Sequence, residues 1–274
     1  MFILNTILVS ILTCLPSNER TATAKEKIIV SASMDTAAIS YNDDAPPVIR
    51  VITDSLEVAA LRNKIRAANA KIVKGKWDSP EAEWGRGVRL YSFREKPRTG
   101  ITSHPFDTIV NEFLAAGILH KRPKYNEIYF PKGTSEHDRE AFIDELFCYS
   151  PTEVWFEGKI GDFPVQFTNL FKAFARNSGG VLKDMTVMSE CNEKTCKYTI
   201  SICYKQYGFV ATFKDCSRYF NINAINGLLA KISAYSGSKK RFTRVITGDP
   251  TMRYVFGDPV KVKKVMRKYG FVPI

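Results

Sequence analysis

The sequence predicts an α+β protein with mixed or antiparallel sheets and several packed helices, and three observations carry that expectation. Val58, Leu61, Ile65, Ala68 and Ile72 recur at helical spacing. "CKYTISICY" alternates strictly, with Tyr198, Ile200, Ile202 and Tyr204 on one face and Thr199, Ser201 and Cys203 on the other. The last third then reads as a three-strand meander, a helix, two strands and a final helix.

The elements follow in order. "KIIVSAS" and "VIRVIT" read as short strands on either side of the turn-rich "YNDDAPP". Asp54 or Ser55 caps the helix that carries Val58 and Ile65. "KGKWDSPEAEWGRG" breaks the periodicity, and the expected boundary falls there, between an N-terminal region, 1–76, and a basic α+β domain, 77–274. "GVRLYSF" is a strand, and a helix from Ser103 places Phe106, Ile109, Val110, Phe113 and Leu114 on one face before Gly117 ends it.

"YNEIYF" is the next strand, and Ser135 with Asp138 forms a capping box for a helix through Phe142, Ile143, Leu146 and Phe147. "EVWFEGKI" leads as a strand into a helix over "FPVQFTNLFKAFARN", which Gly179 and Gly180 close. After the meander comes a helix near "INAINGLLAKISAY". Asp258 and Pro259 take the N-cap and first helical positions of the last helix.

Composition narrows the function classes. At 274 residues, with 45% apolar and 25% charged residues, the chain suits a globular core rather than disorder or a membrane bundle. The formal charge of +12 favours polyanionic partners, nucleic acid or an anionic surface. From Ser217 onward there are twelve Lys and Arg against two acids, Asp249 and Asp258. Nearly all of the surplus therefore lies in the last fifth of the chain, as expected for a dedicated polyanion-binding face.

The opening "MFILNTILVSILTCLP" supports two readings. Ala22-Thr23-Ala24 fits the cleavage pattern of a secretory signal over 1–24, whereas the absence of Lys or Arg before Arg20 fits a buried first strand in a cytoplasmic protein, the placement slightly favoured. The run is too short and polar for a membrane span.

Four of six cysteines, 191, 196, 203 and 216, fall in one stretch. No CxxC knuckle occurs, and alternation points Cys196 and Cys203 to opposite faces, which disfavours zinc. If "NEKT" is the hairpin loop, Cys191 faces Cys196, and a bridge between them is geometrically allowed; otherwise these are buried or bystander thiols.

Two local resemblances suggest chemistry. In "EVWFEGKI" the residues Glu153, Glu157 and Lys159 share a strand face, and Glu157-Gly158-Lys159 resembles the acid-x-Lys element of PD-(D/E)xK nucleases. That resemblance implies phosphodiester hydrolysis with magnesium or manganese, Glu157 and Lys159 being catalytic and Asp138, Asp144 or Glu145 substituting for the missing upstream acid. A solvated strand edge of mixed charge explains the same residues. "HPFDTIVNEFLAAGILHKRPKYNEIYF" resembles a winged helix in its order of elements, with His120, Lys121, Arg122 and Lys124 toward phosphates, although its helix spacing equally suits a core helix.

The basic surplus concentrates in "GSKKRFTRVI" and "DPVKVKKVMRKYGF". Lys239, Lys240, Arg241, Arg244, Lys261, Lys264, Arg267 and Lys268 are the expected nucleic-acid contacts, mainly to phosphates. Tyr235, Phe242 and Tyr254 lie among them, as base-stacking or core aromatics. The main expectation is thus a nucleic-acid-binding protein with no metal or other cofactor. A metal-dependent nuclease and a secreted basic effector are the alternatives, and the sequence assigns no oligomeric state.

Overall fold

A computed structural model describes residues 46–72, 105–124, 135–158, 163–215, 217, 219–246 and 251–274. These all belong to one compact unit, Asp44–Ile274. In chain order the elements are β1 (Val48–Ile52), α1 (Ser55–Ile72), α2 (Asp107–Ala115), α3 (Glu136–Phe147), β2 (Glu153–Glu157), α4 (Phe163–Arg176) and β3 (Thr186–Asn192). There follow β4 (Lys197–Tyr204), β5 (Tyr207–Lys214), α5 (Ile222–Ser236), β6 (Arg241–Ile246), β7 (Thr251–Gly257), α6 (Pro259–Lys268) and β8 (Val272–Pro273). The expected strands "KIIVSAS", "GVRLYSF" and "YNEIYF" lie outside the described residues.

The strands form two four-stranded antiparallel sheets, ordered β1-β5-β4-β3 and β2-β7-β6-β8. The expected α+β class holds, with both sheets purely antiparallel. The alternation in β4 decides the first sheet's layers: Tyr198, Ile200, Ile202 and Tyr204 join the main core, while Cys203 turns to the opposite face with Ile52, Val58 and Ile65. So α1 covers one face of that sheet, and α4 and α5 cover the other.

The same two helices reach the second sheet. Phe174 of α4 meets Phe242 at 4.8 Å and Tyr254 at 5.2 Å, both nearly edge-on. Beyond that sheet, α2, α3 and α6 close a second core on Val245 and Val255. Five layers result, with alternate β7 residues serving different cores: Tyr254 the first and Val255 the second.

Caps fix the helix starts. Asp54 accepts the Glu57 amide at 2.9 Å, and Ser135 and Asp138 form the expected reciprocal box. Asn221 accepts from Ala224, and Asp258 accepts from Val260 and Lys261. α2 begins at Asp107 after Phe106, which makes no side-chain cap, whereas Ser103 lies outside the described residues. Gly117 ends this helix at φ +73°, a left-handed conformation that costs glycine little.

The first hairpin differs from expectation by one residue. Its loop is Glu193–Cys196, so Cys191 lies opposite Tyr198 rather than Cys196. Cys196 adopts φ +49°, and shifting the loop onto it reassigns every pairing that the "NEKT" loop implied. Cys191 is a free thiol, which rules out the Cys191–Cys196 bridge, whereas Cys196 is disulfide-bonded. Cys148 and Cys203 are also thiols rather than disulfides, and Cys216 lies outside the described residues. The Tyr198 hydroxyl, buried and hydrogen-bonded with Cys191, is pushed up to about 12.

A candidate nucleic-acid cleft beside strand β6

Strand β6 builds the site because its alternation sends residues to two different layers. Thr243 and Val245 are buried, Val245 in the second core, while Phe242 and Arg244 take the other face, opposite Phe256 and Tyr254 of β7. That face looks toward α5, and between them opens a cleft of about 630 Å³. Lys239, Arg241 and Arg244 line it together with Asn226, Phe242 and Tyr254, and no acidic side chain takes part.

The approach to β6 is ordered by short local bonds. Gly237 ends α5 at φ +72°. The Ser238 amide donates to Ser236 Oγ and the Lys240 amide to Ser238 Oγ, both at 3.0 Å. Such serine turns hold the loop backbone in place while Lys239 and Lys240 stay exposed. Arg244 is half-buried; it donates to the Met252 sulfur at 3.5 Å and has no carboxylate partner among the described residues. Its guanidinium keeps donors for an anion.

Behind the cations the wall is fixed. The Tyr254 hydroxyl donates to Asn226 Oδ1 at 2.8 Å, joining β7 to α5. Burial holds this hydroxyl far above the ordinary tyrosine range, with Arg244 pulling weakly the other way. Of the two roles expected, base-stacking or core, Tyr254 takes the core one, its ring enclosed between Phe156 and Phe174. Tyr235 packs on Tyr207 and Phe209 instead. Phe242 is half-buried against Phe174 and Phe256 and, like Tyr254, lines the cleft, whereas Tyr235 does not.

The other predicted cations lie elsewhere. Val262, Met266 and Tyr269 seat α6 in the second core, on the opposite face of the sheet from Arg244. Lys261, Lys264, Arg267 and Lys268 are exposed on that helix. Lys268 is hydrogen-bonded to Glu112 of α2, and Tyr269 donates to the same carboxylate at 2.7 Å. The Lys268 bond is the main cause of the lowered Glu112 carboxyl. Thus Lys239, Arg241 and Arg244 line the cleft, while Lys261, Lys264, Arg267 and Lys268 lie on α6, across the sheet from Arg244, a division that sequence spacing could not show.

The nuclease motif is divided as well. Glu157 is exposed at the end of β2, and Lys159 lies outside the described residues. Glu153, on the same strand face, is buried with Arg253, whose guanidinium lies 2.6 Å from its carboxylate. Asp144 pairs with the same guanidinium at 2.7 Å, and Asp138 serves the α3 cap. Among the described residues no group of three or more His, Cys, Asp or Glu is placed to hold a metal ion.

Of the segment that resembles a winged helix, residues 105–124 are described. Ile109, Val110 and Phe113 of α2 are core, and Arg122 bonds Asp107 and Asn111. Among the described residues no helix is long and apolar enough to cross a membrane. Comparison of this chain with protein-family models, with curated proteins and with solved structures finds no match.

Proposed function

We propose that the protein binds nucleic acid, mainly through phosphates, at the cleft lined by Lys239, Arg241 and Arg244, with the exposed Lys240 in the same loop. The observation that carries this reading is the lining of that cleft, which holds three cationic side chains and no Asp or Glu. The α6 cluster is the weaker candidate because Lys268 is engaged by Glu112. Phosphate binding releases counterions, so affinity should fall steeply as salt rises. Titration of the full chain with nucleic acid at several salt concentrations, with and without magnesium, tests this. A salt-independent or absent interaction overturns it, while magnesium-dependent cleavage in the same samples would support the nuclease alternative built on Glu157 and Lys159.

A second reading, a secreted basic protein that binds acidic surfaces, is favoured by the disulfide at Cys196. Disulfides persist in oxidising compartments and are rare in reducing ones. Mass spectrometry of protein isolated from its native source distinguishes the two: a chain beginning at Lys25 supports secretion, and an intact Met1 with every cysteine alkylated opposes it.

A further inference from the structure

The cleft beside β6 is larger than a phosphate contact needs. Half-open to solvent, it has a volume of about 630 Å³, within the roughly 300–1,000 Å³ of clefts that hold one small organic molecule. A track for backbone phosphates needs only exposed cations. Here the cations flank a concave wall of Leu229, Phe242, Tyr254 and Asn226.

That wall carries a set polar group. Tyr254 donates to Asn226 Oδ1, so the Asn226 carbonyl is engaged and its amide orientation follows. The two Nδ2 hydrogens make no other hydrogen bond among the described residues and remain donors for a carbonyl or ring nitrogen. Phe242 adds an apolar surface beside them. A phosphate acceptor, an apolar face and an amide donor together match one nucleotide rather than a length of uniform backbone.

We propose that the cleft takes a single unpaired nucleotide, with its phosphate toward Lys239, Arg241 and Arg244 and its base against Phe242 and the Asn226 amide. The inference rests on the nucleic-acid reading and adds a preference for single strands. A base inside a duplex reaches such a cleft only by extrusion, at the cost of its stacking and pairing. Charge alone predicts the reverse, because duplex DNA has the denser line of phosphates.

The test is fluorescence anisotropy of the full chain with one labelled DNA oligonucleotide, as a single strand and as its duplex, and with labelled heparin as a polyanion without bases. At one salt concentration the single strand should bind about tenfold more tightly or better than the duplex. Ala230 lines the cleft and is exposed on α5, so Ala230→Trp should fill it without burying new core. That variant should lose the preference and keep heparin binding. Asn226→Asp, which aims a carboxylate at the same base position, should also weaken the single strand more than heparin and serves if the Trp variant does not fold. Equal binding of both DNA forms, or a preference that survives both substitutions, overturns the single-nucleotide cleft while leaving nucleic-acid binding intact. Failure of DNA and heparin alike overturns both.

Discussion

Arg253 on β7 lies 2.6 Å from Glu153 on the neighbouring strand β2, and the two side chains are only 9% and 11% exposed. The guanidinium also sits 4.3 Å from the Phe147 ring centroid and bonds Asp144, which is 57% exposed. One cation thereby joins the sheet to α3.

Removing the cation should cost much more than removing its exposed partner. Arg253→Leu leaves the Glu153 carboxylate buried without its counter-charge, a change that costs about 3–5 kcal/mol. Asp144→Asn breaks a pair open to solvent on one side and should cost about 1 kcal/mol or less. Urea unfolding of both variants checks the contrast, and equal losses would mean that Glu153 does not depend on Arg253.

The same pair predicts a pH dependence. Burial raises the Glu153 carboxyl above the usual carboxylate range, and the Arg253 guanidinium opposes that shift without cancelling it. The folded state therefore holds this proton more tightly than the unfolded chain does. The resulting stability is complete below the unfolded value of about 4.3 and is lost as pH rises through the higher folded value. Glu153→Gln keeps the shape but not the titration, so the stability of wild type relative to this variant should fall as pH rises from 4 toward 7. A difference that grows with pH would show that Arg253 outweighs burial.

The two basic clusters should separate in salt titrations. Each phosphate contact contributes about 0.7 to 0.9 to the slope of log affinity against log salt. Replacing Lys239, Lys240 and Arg241 together by Ala should lower that slope by roughly two to three. Replacing Lys261, Lys264 and Arg267 should change it less, since α6 lies across the sheet from the cleft. The opposite order would move the binding face to α6.

Cysteine reactivity should follow the hairpin register. Alkylation without reductant, after unfolding, should label Cys148, Cys191 and Cys203 and spare Cys196. Peptide mapping reads this directly, and labelled Cys196 together with blocked Cys191 would contradict the register in which Cys191 faces Tyr198.

By itself the sequence determined those features whose causes are local. The alternation of Tyr198 through Tyr204 assigned their shared face, and the caps at Asp54, Ser135 and Asp258 act within three residues of the helices they start. Glycine at 117 marked an end that favours a left-handed residue. Tertiary structure decided the rest, because it depends on which surfaces meet. The one-residue hairpin shift required Cys196 to take a positive φ, a conformation its side chain does not announce. Arg253 reads in sequence as one more surface cation, yet antiparallel pairing of β2 with β7 and the packing of α3 bury it against Glu153 and Asp144. Likewise, the basic residues of β6 and α6 are near neighbours along the chain. They separate because Arg244 faces the layer of α4 and α5, whereas Val262 and Met266 draw α6 onto the opposite side of the sheet to bury their apolar surface.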